Sequence, residues 1–268
     1  MVIPTKNYFK KEIGLLDIYI YDDVAFDGLK AAGALAKQTL EHVAPFIQEG
    51  ITTLELNNIC HDFIIKNNAI PATLGYKGYQ YSTCISLNNE VCHGLPSDKK
   101  LLTGDILNID ITVILNGWYG DMSSMFSVGK ISPKAKNLMA VTKQCLDEAI
   151  KIVKPNLKIS EIGKCIANIA HKNHFSVVEE FCGHGIGHDF HLDPNVLHFY
   201  YPKQDLTLEK GMVFTIEPMI NAGKKEVKML NNGWTAVTKD FSLSAQYEHT
   251  IGITDTGCII FTENYGNT

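Results

Sequence analysis

The stretch Ile106-Leu-Asn-Ile-Asp-Ile-Thr-Val-Ile-Leu115, followed by Asn116-Gly117 and the returning segment Trp118 to Val128, reads as one β-hairpin. Its first arm is rich in β-branched residues, and Asn-Gly is the strongest short hairpin-turn signal. A two-residue turn fixes the register, so Leu115 faces Trp118 and Thr112 faces Asp121. Asp110, two residues from Thr112, then points to the same side as Asp121. Diagonal cross-strand neighbours lie about 7–8 Å apart at the backbone, so the two carboxylate tips can converge on one cation or two. An arbitrary pair of strand aspartates more often lies on a solvated face. Here Asn108, Asp110 and Thr112 form a polar row in a strand otherwise apolar on both faces, which points to a buried polar site.

The rest of the chain provides the bulk to bury such a site. Its 268 residues are 45% hydrophobic and 20% charged, the composition of an ordinary globular protein of one or two compact units. Twenty-four basic residues against 29 acidic ones give a net charge of −5, and the basic runs do not exceed the pairs Lys10-Lys11, Lys99-Lys100 and Lys224-Lys225. That balance argues against a direct nucleic-acid function. Met1 to Ile20 lacks a signal-peptide core and no run reaches membrane-spanning length, so a cytoplasmic, membrane-free protein is expected. Seven cysteines, an odd number with no Cys-x-x-Cys pair, read as reduced thiols.

An internal repeat sets the organisation. Ala36 to Asn67 lies over Thr142 to Asn173 without a gap, matching Lys37-Gln38 to Lys143-Gln144, Leu40 to Leu146, Glu55 to Glu161 and Lys66-Asn67 to Lys172-Asn173. Each copy reads as a long amphipathic helix, a break at Glu49-Gly50 or Pro155-Asn156, and a second helix opening at Thr53 or Ser160. Strand-like material follows each pair: Tyr79 to Leu87 and the Asp110/Asp121 hairpin in the first half; Val177 to Phe181, Gly211 to Ile220, Thr235 to Lys239 and Leu243 to Ile253 in the second. Two similar halves, about 25–130 and 131–268, are implied. Packed side by side they merge two antiparallel sheets into one α+β unit, helices behind and the other sheet face free for a site. Residues 1–24 form an N-terminal extension to this single domain.

Further candidates sit in the second half. Cys182-Gly-His184-Gly-Ile-Gly-His188-Asp-Phe-His191 places three histidines among three glycines, and histidine is the commonest metal-ligating side chain. Glu217 lies in the apolar run Val213-Phe-Thr-Ile-Glu217-Pro, where an unpaired carboxylate would be very costly. Glu248 and His249 face opposite ways in another strand, and Glu248 is the better site residue because an acid can bridge two cations. Together Asp110, Asp121, His184, Glu217 and Glu248 form an oxygen-dominated set suited to Mn, Fe, Co or Zn.

These residues carry a resemblance. The chain is similar to the type I methionine aminopeptidases, of the pita-bread fold shared with prolidase, aminopeptidase P and creatinase, from about Ala25 to its end. The matching motifs are Leu74-Gly-Tyr-Lys-Gly-Tyr79, Cys84-Ile-Ser, Val91-Cys-His-Gly-Leu-Pro96, Gly104-Asp-Ile-Leu-Asn-Ile-Asp110, Gly120-Asp121, Cys182-Gly-His184-Gly-Ile-Gly, Phe190-His191, Phe214-Thr-Ile-Glu-Pro and Ser244-Ala-Gln-Tyr-Glu-His-Thr. The resemblance implies two divalent ions, one held by Asp110 and Asp121, the other by Asp121, His184, Glu217 and Glu248, with Asp121 and Glu248 bridging. It implies that His93 and His191 contact substrate, and that Tyr76, Tyr79, Cys84, Phe190 and Trp234 line an apolar methionine pocket, chemistry that suits a thioether. Glu217 is expected to relay a proton as well. The 33 positions from His184 to Glu217 leave no room for the helical insertion of the type II enzymes. Thr73, His188-Asp189, Leu192 and Phe241 depart from the family pattern.

The activity so implied is removal of N-terminal methionine from peptides and nascent chains, preferably before a small second residue, by a monomer in transient contact with the ribosome. Rival readings are a pita-bread shell that binds peptides or proteins without catalysis, and a dimetal peptidase of the prolidase and aminopeptidase P group.

Overall fold

The computed structural model describes residues 7–263. Four helices carry the repeat: α1 (Asp23–Val43), α2 (Thr53–Lys66), α3 (Pro133–Ile152) and α4 (Ser160–Lys172). Local chemistry sets their starts. The Asp22 carboxylate accepts from the Ala25 N–H at 2.9 Å to open α1, and Ser132 Oγ accepts from the Ala135 N–H at 3.1 Å to open α3, with Pro133 in its first turn. Thr52 and Glu55 form a reciprocal capping box on α2. The second helix of each pair spans the positions that the alignment of the halves assigns it.

The hairpin of the first half forms as its sequence dictates. Ile106–Leu115 pairs with Trp118–Ser127, Leu115 opposite Trp118 and Thr112 opposite Asp121. Asn116 and Gly117 both adopt positive φ, 52° and 84°, as a two-residue turn matched to strand twist requires. Strand alternation then divides the first arm. Leu107, Ile109, Ile111 and Val113 pack with Leu35, Leu56 and Ile64 of α1 and α2, while Asn108, Asp110 and Thr112 turn to the opposite face. α1 presses so closely on the return strand that a Cβ added at Gly120 would lie 2.4 Å from the Ala32 carbonyl carbon, which seats Asp121 firmly.

The second half builds its long hairpin in pieces. Val213–Ile216 pairs with His249–Ile253, and Met219–Asn221 with Ser244–Gln246. Both arms are interrupted, one at Glu217-Pro218 and the other at Tyr247-Glu248. Pro218 has no N–H to give a ladder. The register nevertheless runs on, because Ile216 pairs with His249 and Met219 with Gln246, so Glu217 stands opposite Glu248. The apolar residues Phe214, Ile216 and Ile220 pack with Leu138, Leu146, Ile162 and Ile166 of α3 and α4.

Two stretches expected to be extended are shorter than their sequence suggests. Of Tyr79 to Leu87 only Cys84–Leu87 is a strand; a short 3-10 turn at Tyr76–Gly78 precedes the stretch, and the Ser82 and Thr83 N–H groups go to Asn57 Oδ1 of α2 and not to a neighbouring strand. Of Val177 to Phe181 only Val177 belongs to a strand, Ser176–Val177. At the other end, Tyr8–Ile13 and Leu16–Tyr21 form a hairpin that joins the seven-stranded sheet, its second strand running parallel to Leu192–Val196. Among the described residues no helix is long and apolar enough to cross a membrane.

Candidate metal centre and its cavity

The two hairpins meet across their acidic faces. The Glu248 N–H donates to the Ser123 carbonyl at 3.1 Å, and Asn108 Nδ2 to the Gln246 carbonyl at 2.8 Å. All five expected ligands and all seven expected substrate residues border one cavity of about 670 Å³, within the size range of small-molecule sites. Ligand atoms of Asp121, His184 and Glu248 lie within 4.8 Å of one another. His184 Nε2 is 3.6 Å from Asp121 Oδ2 and 3.7 Å from Glu217 Oε1. Asp110, paired in its strand with Ser123 and Cys84, completes the acidic side.

The donor set fits divalent cations on its own electrostatics. Burial, reinforced by their mutual repulsion, raises the carboxyls of Asp121, Glu217 and Glu248 well above the usual carboxylate range, and burial raises Asp110. Four carboxyls so placed need positive charge between them to ionise together. Desolvation lowers His184 to about 4, which keeps its imidazole neutral. Its Nδ1 lies 3.1 Å from the Gly185 carbonyl, and donation there leaves the Nε2 lone pair facing the acids.

A ring of polar groups holds these ligands, of which only Thr112 stands out in the sequence, through the polar row of its strand. Thr112 Oγ1 donates to Asp121 Oδ1 at 2.8 Å. Thr215 Oγ1 donates to Glu217 Oε1 at 2.9 Å and accepts the His184 N–H at 3.0 Å. Gln246 Nε2 reaches Glu217 Oε2 at 3.2 Å. Fully buried His198 accepts the Glu217 N–H on Nε2 at 3.2 Å, which places its proton on Nδ1, and burial lowers it to about 3. Such partners orient ligands and fix their tautomers. Thr112, Thr215 and Gln246 each stand two residues from a ligand in their strands, whereas His198 is 19 residues from the Glu217 amide it supports.

The walls are aromatic. Tyr79 packs edge-on to Trp234 with centroids 5.0 Å apart and donates from its hydroxyl to the Gly94 carbonyl at 2.9 Å. Tyr76 lies 4.7 Å from Phe190 and stacks on His191 at 5.2 Å, and His191 lies 4.2 Å from His184. His93 is held at φ 56°, uncommon for a residue with a side chain, and its ring meets Phe181 edge-on. Burial lowers His93 and His191, so both imidazoles are neutral hydrogen-bond donors at physiological pH. His249, set aside as structural, turns away from the cavity and bonds through Nδ1 to Thr262 at 2.7 Å.

Known proteins share this arrangement. A profile of metallopeptidase family M24 matches residues 27–255. The methionine aminopeptidase of Escherichia coli strain K12 is 50% identical over 236 residues, 87% of this chain and 89% of that protein. The chain belongs to metallopeptidase family M24. This M24 chain is also 48% identical to the methionine aminopeptidase of Rickettsia prowazekii, whose crystal structure superposes with a TM-score of 0.91 over 92% of this chain and all of that one. The Thermotoga maritima methionine aminopeptidase gives 0.90 at 36% identity, again over 92% of this chain. The prolidase of Pyrococcus furiosus, 21% identical, shares the pita-bread fold at a TM-score of 0.73 over 65% of its own length.

Proposed function

We infer that this metallopeptidase removes the N-terminal methionine of peptides and nascent chains, with a small second residue preferred. The observation that carries the reading is the convergence of four carboxylates and one neutral imidazole in a cavity that is also lined by Tyr76, Tyr79, Phe181, Phe190 and Trp234. Names of relatives at about half identity over most of the chain support it.

Asp110 and Asp121 would hold one divalent ion, and Asp121, His184, Glu217 and Glu248 a second, with Asp121 and Glu248 bridging. Ions held there would supply Lewis-acid polarisation of the scissile carbonyl and a site for the substrate's free α-amine, which would make the cleavage exopeptidic. Tyr76, Tyr79, Cys84, Phe190 and Trp234 receive the methionine side chain, sulfur against ring faces and edges. His93, held at positive φ, and His191, stacked on Tyr76, both line the cavity as neutral imidazoles, and in this reading His191 donates to the developing oxyanion while His93 positions the leaving amide. Glu217, steadied by Thr215 and Gln246, is placed to accept and return a proton. A complete ligand set disfavours the non-catalytic shell. The setting proposed for this activity is a cytoplasmic monomer that meets nascent chains in transient contact with the ribosome.

Hydrolysis of Met-Ala-Ser with Mn²⁺ or Co²⁺, against the same protein treated with EDTA, tests the assignment. Free methionine released only with metal is expected. No release under either condition overturns it.

A further inference from the structure

The Tyr8–Ile13/Leu16–Tyr21 hairpin lies outside the 27–255 stretch that matches the family, yet it is fastened to the catalytic segment. His188, four residues after His184, stacks on Tyr8 with centroids 4.0 Å apart and meets the Tyr21 hydroxyl through Nδ1 at 2.7 Å. The Tyr21 ring lies so close to Gly187 that a Cβ there would come within 2.3 Å of it. The Asp17 N–H donates to Asp193 Oδ2 at 3.0 Å. The hairpin is thus a fixed wall, and the departure of His188 from the family pattern is its anchor.

That wall borders the same cavity as the ligands. Asp17 and Tyr19 line it beside Asp193, two residues along the chain from His191. An aminopeptidase substrate has one closed end, its first residue, and one end that must leave through the open side. The closed end is apolar and aromatic; the exposed lining includes Asp17. Asp17 is joined to Asp193 by a 3.0 Å hydrogen bond and both line the cavity that holds His191, so a substrate whose first residues lie at the ligands passes this pair with residues beyond the second. Outside the ligand set the cavity's charged side chains are Asp17, Glu180 and Asp193 against Lys77 alone. Lys10 approaches Asp17 at 3.2 Å, but both side chains are about half exposed, and such a pair is readily shared with an incoming cation.

We propose that the N-terminal hairpin is the docking wall for substrate residues beyond the second, and that Asp17 gives it a preference for a basic side chain at the third or fourth position. The proposal rests on the aminopeptidase reading above.

The test compares Met-Ala, Met-Ala-Lys-amide, Met-Ala-Gln-amide and Met-Ala-Glu-amide as substrates of the metal-loaded full chain, and repeats the series with Asp17→Asn and Asp17→Lys. Wild type is expected to favour Lys over Glu by about two- to fivefold, the size of an exposed ion pair, through KM and less so at high salt. Asp17→Asn should shrink the preference and Asp17→Lys abolish or invert it, with Met-Ala turnover unchanged. Equal kcat/KM for the three tripeptides in wild type, or a preference untouched in Asp17→Lys, overturns the proposal while leaving the activity standing. Failure to cleave any of the four peptides sinks the activity and the hairpin's role together.

Discussion

The two hairpins supply the same kind of group by opposite means. In the first half the arms run unbroken through the turn at Asn116-Gly117, and Asp110 and Asp121 reach the site as diagonal neighbours on one continuous face. In the second half both arms are interrupted where the acids stand, and Glu217 faces Glu248 directly across the gap. A continuous ladder can carry two short carboxylates at diagonal spacing without disturbing its hydrogen bonds. Two longer side chains opposed in register, with a proline beside one of them, take up space a regular ladder lacks, and the strand opens. The freed backbone is satisfied from outside: the Glu217 N–H by His198, the Glu248 N–H by Ser123 of the first half. One half offers rigidity, the other offers reach.

If each half contributes one bridging carboxylate, Asp121→Ala and Glu248→Ala should be equally damaging. Each is expected to drop methionine release to background and to lower metal content by elemental analysis, a loss of several kcal/mol in transition-state stabilisation, or about a thousandfold or more. A fully active Glu248→Ala protein would remove the second half's bridge. His93→Ala should reduce kcat on Met-Ala-Ser by about a hundredfold with metal stoichiometry intact, since its donor acts on substrate and not on the ions. Unchanged turnover would take His93 out of the reaction. The supporting hydroxyls separate the halves more finely. Thr215 serves both Glu217 and the His184 backbone, whereas Thr112 serves Asp121 alone, so Thr215→Val should weaken Mn²⁺ binding in calorimetric titration by about tenfold or more, and Thr112→Val by less. The smallest effect belongs to an acid outside both ladders. Asp240 accepts backbone N–H groups of Lys224 and Ser242, which lower it from 3.8 to about 2. A carboxyl depressed by folding adds stability above its unfolded value that disappears as pH falls through its folded one. Urea midpoints of wild type should therefore decline more steeply than those of Asp240→Asn between about pH 4 and pH 2; parallel curves would show that those bonds add nothing.

Much of this could be read in advance because the deciding signals are local. Asn116-Gly117 fixes a register, and a register fixes which side chains share a face; the polar row Asn108, Asp110, Thr112 then has one meaning. The gapless match of α1–α2 to α3–α4 gave the halves. The strand breaks were harder. Pro218 was visible, but an apolar run around one acid reads as a continuous strand, and only pairing across the sheet shows Glu248 opposite Glu217. Thr215 is harder to read because threonine is common in strands on propensity alone, and nothing local shows that Gln246 reaches Glu217. His198 sits 19 residues from the amide it supports, a contact with no sequence period. The Tyr8–Ile13/Leu16–Tyr21 hairpin falls in what reads in the sequence only as an N-terminal extension, and nothing local there says which sheet edge receives it.

Asn108 and Ser123 clasp the second half's backbone at Gln246 and Glu248, so the seam between the copies is also the rim of the cage. Sliding one copy past the other by a single residue would turn half of the oxygen donors away from their counterparts. Neither half can hold the cations alone, and any mutation loosening that suture should be felt first as leaking cations, before the fold itself gives way.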